Sequence, residues 1–181
     1  MFNWFKKKKV GFQIPERYDD GGYFQLIVDT AYKHKMLRNQ LAYTLATAKH
    51  ETNKTFLPVK ESYWLSEQWR KENLRYYPWY GRGFVQLTWE VNYKKASNKL
   101  GVDLISNPKK AMDPEVSAEI LIVGMLEGWF TGKKIGDYVS LSKSDFINAR
   151  RVINGTDKAE LIAKYAVYYD NMLKTIGYGE E

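Results

Sequence analysis

The sequence predicts a mostly helical α+β domain with one small irregular or β lobe set between its early helices. Three observations carry that expectation. Apolar residues recur at helical intervals in several separate stretches. Between Thr52 and Tyr80 that period fails, and aromatic residues mix with charges. Directly after it comes a short run of alternation, with Val85, Leu87 and Trp89 pointing one way and Phe84, Gln86 and Thr88 the other.

The elements follow in chain order. Residues 1–22 read as a basic N-terminal arm, with Lys6 to Lys9 in its first half and Gly21-Gly22 at its end. Such a run is a solvated segment, or one drawn to an anionic surface. Residues 23–181 then form a single domain, which suits a chain of 181 residues. From Tyr23 to Met36 a helix shows in Phe24, Ile27, Val28 and Ala31. A second stripe runs through Leu37, Leu41, Leu45 and Ala48, which brings Glu51 near the inward face at that helix's C-terminal end. Pro58 bars continuation. Asp113-Pro114 is a helix start, an N-cap type followed by proline. The Val116–Leu126 stretch is apolar nearly all round and reads as the buried central helix. A last helix opens at Asp157 with Glu160 three positions on, carries Leu161, Tyr165, Tyr169, Met172 and Ile176 on one face, and stops near Gly177.

Composition narrows the function classes. Cysteine is absent, which excludes disulfides, cysteine metal sites and a cysteine nucleophile. The longest strongly apolar run, Ile120 to Leu126, falls far short of the ~20 residues of a spanning helix. Met1 to Val10 lacks the apolar stretch of a secretion signal, so membrane insertion is not expected and any work outside the cytoplasm needs another route of release. A net charge of +7 favours polyanions as partners, an acidic cell wall among them. A nucleic-acid reading would rest on that charge alone. Tyr 14, Trp 6 and Phe 8 make a high aromatic content; most of it must serve the core, and a surplus in polar segments would suit a surface that stacks on flat ligand faces.

Two carboxylates stand out. His50-Glu51 is not a zinc motif, because position 54 is Lys54 where a second histidine would be required. His50 therefore reads as structural. Glu51, at the end of an apolar stripe, is placed for partial desolvation, which suits a general acid. Glu61 is the available partner. On one helix the two would stand ~15 Å apart, and along an extended strand ~33 Å. Paired work on a glycosidic bond needs ~5–9.5 Å. The chain must therefore fold back between them, as Asn53, tolerant of a left-handed backbone, and Pro58 allow.

More specific is Tyr80-Gly81-Arg82-Gly83-Phe84-Val85-Gln86-Leu87-Thr88-Trp89, followed by Asn92-Tyr93. With His50-Glu51-Thr52, Pro58-Val59-x-Glu61 and Val152-Ile153-Asn154-Gly155, it resembles the family 19 glycoside hydrolases, the plant-type chitinases and related phage and bacterial endolysins. The likeness runs from about Leu41 to Leu173, and its compactness is closer to the phage endolysin branch. It implies a lysozyme-like fold. Glu51 would then protonate the glycosidic oxygen, Glu61 activate a water, and Thr88 hold that water. Gln86, Asn92 and Asn154 would bind sugar hydroxyls or N-acetyl groups. Arg82 would pair with a carboxylate of the site or serve a structural ion pair. One or two of Tyr76, Tyr77, Trp79, Tyr80, Trp64 and Trp69 would stack on sugar rings. The substrate-binding arginine that chitinases carry in their last region has no clear counterpart, since Glu160 to Tyr165 supplies only Lys164.

The expectation is a peptidoglycan-degrading, inverting glycosidase, monomeric, without metal or cofactor, made in a host cytoplasm and released to the wall through a holin. A chitinase is the alternative, and a wall-binding or virion structural protein that has lost activity is a further one.

Overall fold

The computed structural model describes residues 11–179. Four of its helices carry the body. Helix α1 (Phe24–Lys33) buries Phe24, Ile27, Val28 and Ala31, the stripe its spacing predicts. Helix α2 (Arg38–Glu51) is buried continuously from Gln40 to Ala48, a broader face than the Leu37–Ala48 stripe suggests. It is covered chiefly by the last helix, while α1 lies on the central one.

The central helix, α5 (Pro114–Glu127), starts at Pro114 as predicted and ends on Gly128 in the left-handed conformation. Asp113 precedes it in extended backbone, yet its carboxylate makes no capping bond. The core decides this helix's place. A cap contributes ~1 kcal/mol, whereas each fully buried aliphatic side chain contributes ~1.5–3 kcal/mol, and Ile120, Leu121, Ile122 and Val123 are all buried.

The last helix, α6 (Ala159–Thr175), departs from expectation in two ways. It begins after Lys158, whose φ is 57°, and not at Asp157. Its buried face is Ala159, Ile162, Ala163, Ala166, Tyr169, Met172 and Leu173, while Leu161 is exposed. The alanines explain the rotation, since small side chains let α2 approach closely. Tyr165 is left at the rim, where Lys49 lies 5.5 Å from its ring centre.

Between α2 and α4 (Glu90–Leu100) lies the small lobe. Strands β1 (Val59–Lys60) and β2 (Arg82–Gly83) pair antiparallel, Val59 opposite Gly83 and Lys60 opposite Arg82. A short helix that the sequence pattern does not reveal, α3 (Glu67–Asn73), is capped by Ser66, whose hydroxyl accepts from Trp69 N at 3.1 Å. The alternating run is a turn, not a strand. After β2 the chain doubles back, Gln86 adopts φ 55°, and Arg82 and Leu87 exchange backbone hydrogen bonds of 3.2 and 2.9 Å. Phe84, assigned by alternation to the polar side, is fully buried. Its N–H donates to Ser117 Oγ of α5 at 2.8 Å, which fastens the turn to the body. A second ribbon, β3 (Val139–Ser140) with β4 (Lys143–Ser144), completes the fold.

Of the expected arm, Lys6 to Lys9 lie outside the described residues. The stretch from Phe12 to Ile14 lies on the body: Ile14 N donates to Gln25 Oε1 at 2.8 Å, and Ile14 joins the core. No helix among the described residues is long and apolar enough to cross a membrane.

Candidate active site

Glu51 is the last residue of α2. Beyond it Asn53 and Lys54 take φ values of 50° and 68°, so the helix ends at the left-handed turn anticipated at Asn53, well before Pro58. Thr52 stabilises the reversal by donating to Ala48 O (2.7 Å) and accepting from Phe56 N (3.0 Å). Phe56 is fully buried against Phe24 and Tyr169. The fold-back that the carboxylate pair requires is thus anchored by core packing.

Arg150 holds the Glu51 side chain, its Nη1 donating to Oε1 at 2.9 Å. The arginine is 3% exposed and the glutamate 18%. Arg150 Nε donates to Asp157 O at 2.9 Å, which fixes the guanidinium in its own short 3-10 segment, Asn148–Val152. Tyr43 and Thr47, two and one turns before Glu51 on the same face of α2, are buried, and their hydroxyls lack a well-formed hydrogen bond. Burial drives the Tyr43 phenol well above its ordinary range, with Arg150 opposing.

Glu61 follows β1 and is held by a different set of groups. Tyr76 Oη donates to Oε1 at 2.6 Å and Gly81 N to Oε2 at 2.9 Å. Bonds to a carboxylate oxygen are among the strong ones, so both oxygens are fixed as acceptors. Burial first, and the bond to Glu61 second, push the Tyr76 phenol up to about 12, which keeps it a donor. The backbone is gripped as well. Arg70, fully buried, donates through Nε to Glu61 O (2.9 Å) and through Nη2 to Ser62 O (2.9 Å) and Leu65 O (2.8 Å).

Gln86 and Thr88 meet Glu61 at Gly81. A methyl group on Gly81 would lie 2.7 Å from Gln86 Oε1, 3.3 Å from Glu61 Oε2 and 3.3 Å from Thr88 Oγ1. Three predicted residues therefore surround one backbone position that has no side chain. Thr88 donates its hydroxyl proton to Gln86 O at 2.8 Å, leaving its oxygen as an acceptor. Gln86 donates to Val59 O at 2.8 Å, which turns its own carbonyl oxygen toward Gly81.

The remaining candidates take other roles. Asn92 donates to Thr88 O at 2.9 Å and so braces that segment from α4. Asn154 is exposed and accepts only from the neighbouring Gly155 N among the described residues. Tyr80 and Arg82 are corrections to the expected binding set. Both are buried, at 2% and 3% exposure. The Arg82 guanidinium lies 3.6 Å over the Tyr80 ring and donates to Pro78 O, Tyr80 O and Tyr93 Oη, with no carboxylate partner among the described residues. The Tyr80 hydroxyl donates to Glu67. They are the lobe's scaffold. The exposed aromatics of the lobe are instead Trp64, Tyr63 and Trp89.

Sequence reasoning missed Arg150 and Arg70 and took Tyr76 for a stacking residue. Arg150 sits two residues before the Val152–Gly155 motif, so a search for Glu51's cation beside that motif would have found it. Arg70 had no such signal. A wide groove of about 1620 Å³, lined by Lys33, His34, Val116 and Glu119 among others, contains none of the candidate residues.

The family model described as chitinase class I, glycoside hydrolase family 19, matches residues 31–134, a span that includes Glu51, Glu61, Gln86 and Thr88 but not Arg150 or Asn154. Endochitinase EP3 of Arabidopsis thaliana is 27% identical over 143 residues, which cover 74% of this chain and 50% of that protein. The chain thus spans about half the length of that relative. Chitinase 8 of Oryza sativa subsp. japonica is 58% identical over a stretch of 31 residues, 17% of this chain and 12% of that protein. Among solved structures, chitinase C from Streptomyces griseus superposes with a TM-score of 0.57 at 21% identity, covering 84% of this chain and 83% of that one. A bacterial family 19 chitinase gives 0.55 at 21% identity, covering 88% and 90%. At such identities the structures establish the fold.

Proposed function

We propose, from the premise that this chain belongs to the chitinase class I family of glycoside hydrolases, that it hydrolyses β-1,4 bonds of the peptidoglycan glycan by single displacement with inversion. The observation that carries the reading is the cluster at Gly81: a carboxylate with both oxygens held, beside a hydroxyl oxygen and an amide oxygen.

That cluster suits a base and its water. A water attacking a sugar carbon must turn a lone pair toward it, so both its protons need acceptors. Glu61 and Thr88 Oγ1 are two acceptors near one point. Glu61 takes the proton that the water sheds. Glu51 supplies the proton to the leaving oxygen, with Arg150 fixing one of its oxygens and so the direction of the other. The carboxyls are expected ~6.5–9.5 Å apart, the separation that admits a water. Gln86 Oε1 is available to an N-acetyl N–H.

Peptidoglycan is favoured by the net charge of +7, which an anionic wall attracts. The biology that fits is a lysin of the phage endolysin branch, acting as a monomer on the bacterial wall. Chitin is the second reading, favoured by the relatives named above, which are described as chitinases. Product analysis on purified sacculi and on colloidal chitin decides between them. Reducing ends of inverted anomeric configuration from sacculi, lost in Glu51→Gln, are the expected result. Anhydro ends would remove Glu61 from the role of base, turnover of chitin alone would leave the second reading, and a fully active Glu51→Gln would refute the assignment.

A further inference from the structure

Trp89 holds a backbone conformation that its side chain does not favour. Its φ is 77° and its ψ 138°, close to a region that glycine alone ordinarily occupies. The conformation is enforced on both sides. Trp89 N donates to Trp79 O at 2.9 Å, and Trp89 O accepts from Asn92 N and Tyr93 N at 3.0 and 3.1 Å as α4 begins. Strain in a bulky residue is usually offset by burying it, yet this indole is 42% exposed. Glycine would satisfy the backbone, and the core would lose little.

What the position does provide is a braced aromatic face beside the site. The Tyr76 ring leans on the indole, centroids 4.8 Å apart at 60°, and the Arg75 guanidinium lies 4.9 Å over it. Tyr76 is the residue whose hydroxyl holds Glu61, and Thr88 precedes Trp89 directly. The indole is thus two contacts from the carboxylate and one peptide bond from the hydroxyl that face the reacting centre.

We infer that Trp89 is a sugar-stacking residue, held in a strained backbone so that its ring presents a flat apolar face to one N-acetylhexosamine unit on the Glu61 side of the cleft. The C–H face of a pyranose is flat and apolar, and matches an indole that is rigid and half open. The inference deepens the reading of the site as a glycan cleft and rests on it.

The test separates ring from strain. Binding of the β-1,4-linked N-acetylglucosamine hexamer is measured by calorimetry in a Glu51→Gln background, where turnover does not interfere. Trp89→Ala and Trp89→Gly should both weaken Kd about tenfold, while Trp89→Phe stays within about threefold of the parent. Thermal unfolding should place Trp89→Gly ~2–4 °C above Trp89→Ala, because only glycine relieves the strained φ. Unchanged Kd in the alanine and glycine variants overturns the inference, as does a parent that does not bind the hexamer. A Trp89→Gly Tm no higher than that of Trp89→Ala overturns the claim that the ring is held under strain. A wild-type protein that cleaves neither sacculi nor chitin, yet binds the hexamer through Trp89, would sink the hydrolytic reading and leave this one standing.

Discussion

The helical body and the small lobe each present one carboxylate, and they hold it by opposite means. Glu51 inherits its position from α2, one of the best-buried helices, and needs only its side chain directed; Arg150 does that through a single bond to Oε1. Glu61 stands on a two-residue strand and a turn, where no long element fixes the backbone. There a buried arginine, Arg70, grips the backbone carbonyls, and Tyr76 and Gly81 grip the side chain. Precision supplied by packing on one side is supplied by hydrogen bonds on the other. Buried hydrogen-bond networks fail when one member is removed, whereas a packed helix tolerates local loss, so the two sides should respond differently to mutation.

The largest effects should fall on the carboxylates themselves. Glu51→Gln and Glu61→Gln should each lower kcat by roughly 10²–10⁴, the range for a lost general acid or base, with circular dichroism and Tm near the wild type. Equal loss in both fits the paired roles; near-normal turnover of Glu61→Gln would break the pairing. The two arginines come next and bear directly on the contrast. Arg70→Met strands four acceptors in the lobe and should cost about 3–5 kcal/mol, a fall in Tm of ~10 °C. Arg150→Met should cost less stability but lower kcat ~10–100-fold, because it frees the Glu51 side chain and leaves α2 intact. Should Arg150→Met keep full kcat, the helix alone would be shown to aim Glu51.

Much of this contrast was legible in the sequence on the body's side and little on the lobe's. Helical periods announced α1 and α2, and a proline start followed by a continuous apolar run announced α5, since long buried elements write their faces into composition. The turn at Asn53 was legible because few residues tolerate that backbone. The lobe gave weaker signs. Its strands are two residues long, too short for a period, and the alternation at Phe84–Trp89 misled because the turn at Gln86 buries Phe84 as well as Val85 and Leu87. Tyr80 and Arg82 read as binding residues because a polar tip on an aromatic or a guanidinium looks the same in sequence whether it faces ligand or backbone carbonyls. Arg70 is the extreme case: a lone arginine in a charged stretch, Glu67 to Glu72, gives no sign that it is fully buried.

Gly81 and Gly83, on either side of Arg82, sharpen the comparison within the lobe. Gly83 has φ 85°, and a methyl there would lie 2.5 Å from Ser117 Oγ and 2.9 Å from Ala111 O. Gly83→Ala should cost ~1–3 kcal/mol of backbone strain and lower Tm by several degrees. Gly81 has no positive φ, and the atoms nearest its new methyl are the ends of Gln86, Glu61 and Thr88. Gly81→Ala should therefore keep Tm within ~2 °C while lowering kcat ~10–100-fold. One glycine serves the fold and the other the site; a Gly81→Ala variant that melts early but turns over normally would reverse that assignment.

The smallest expected effect concerns the donor on Glu61, and pH reads it out. The Tyr76 and Tyr93 phenols are pushed up to about 12, in both cases first by burial, with the bond to Glu61 adding for Tyr76 and Arg82 opposing for Tyr93. An unfolded tyrosine releases its proton near 10, so between about pH 10 and 12 the folded state holds protons that the unfolded state has shed. Stability must then fall with rising pH across that window and stay flat below it. The urea midpoint should be constant from neutrality to about pH 9.5 and drop beyond 10. Tyr76→Phe removes one of the raised phenols, so its alkaline drop should be shallower, and at pH 7 it should lose about tenfold in kcat because Glu61 Oε1 has lost its donor. A Tyr76→Phe profile that overlays the wild type above pH 10, with kcat intact, would mean that the lobe positions Glu61 through Arg70 and Gly81 alone.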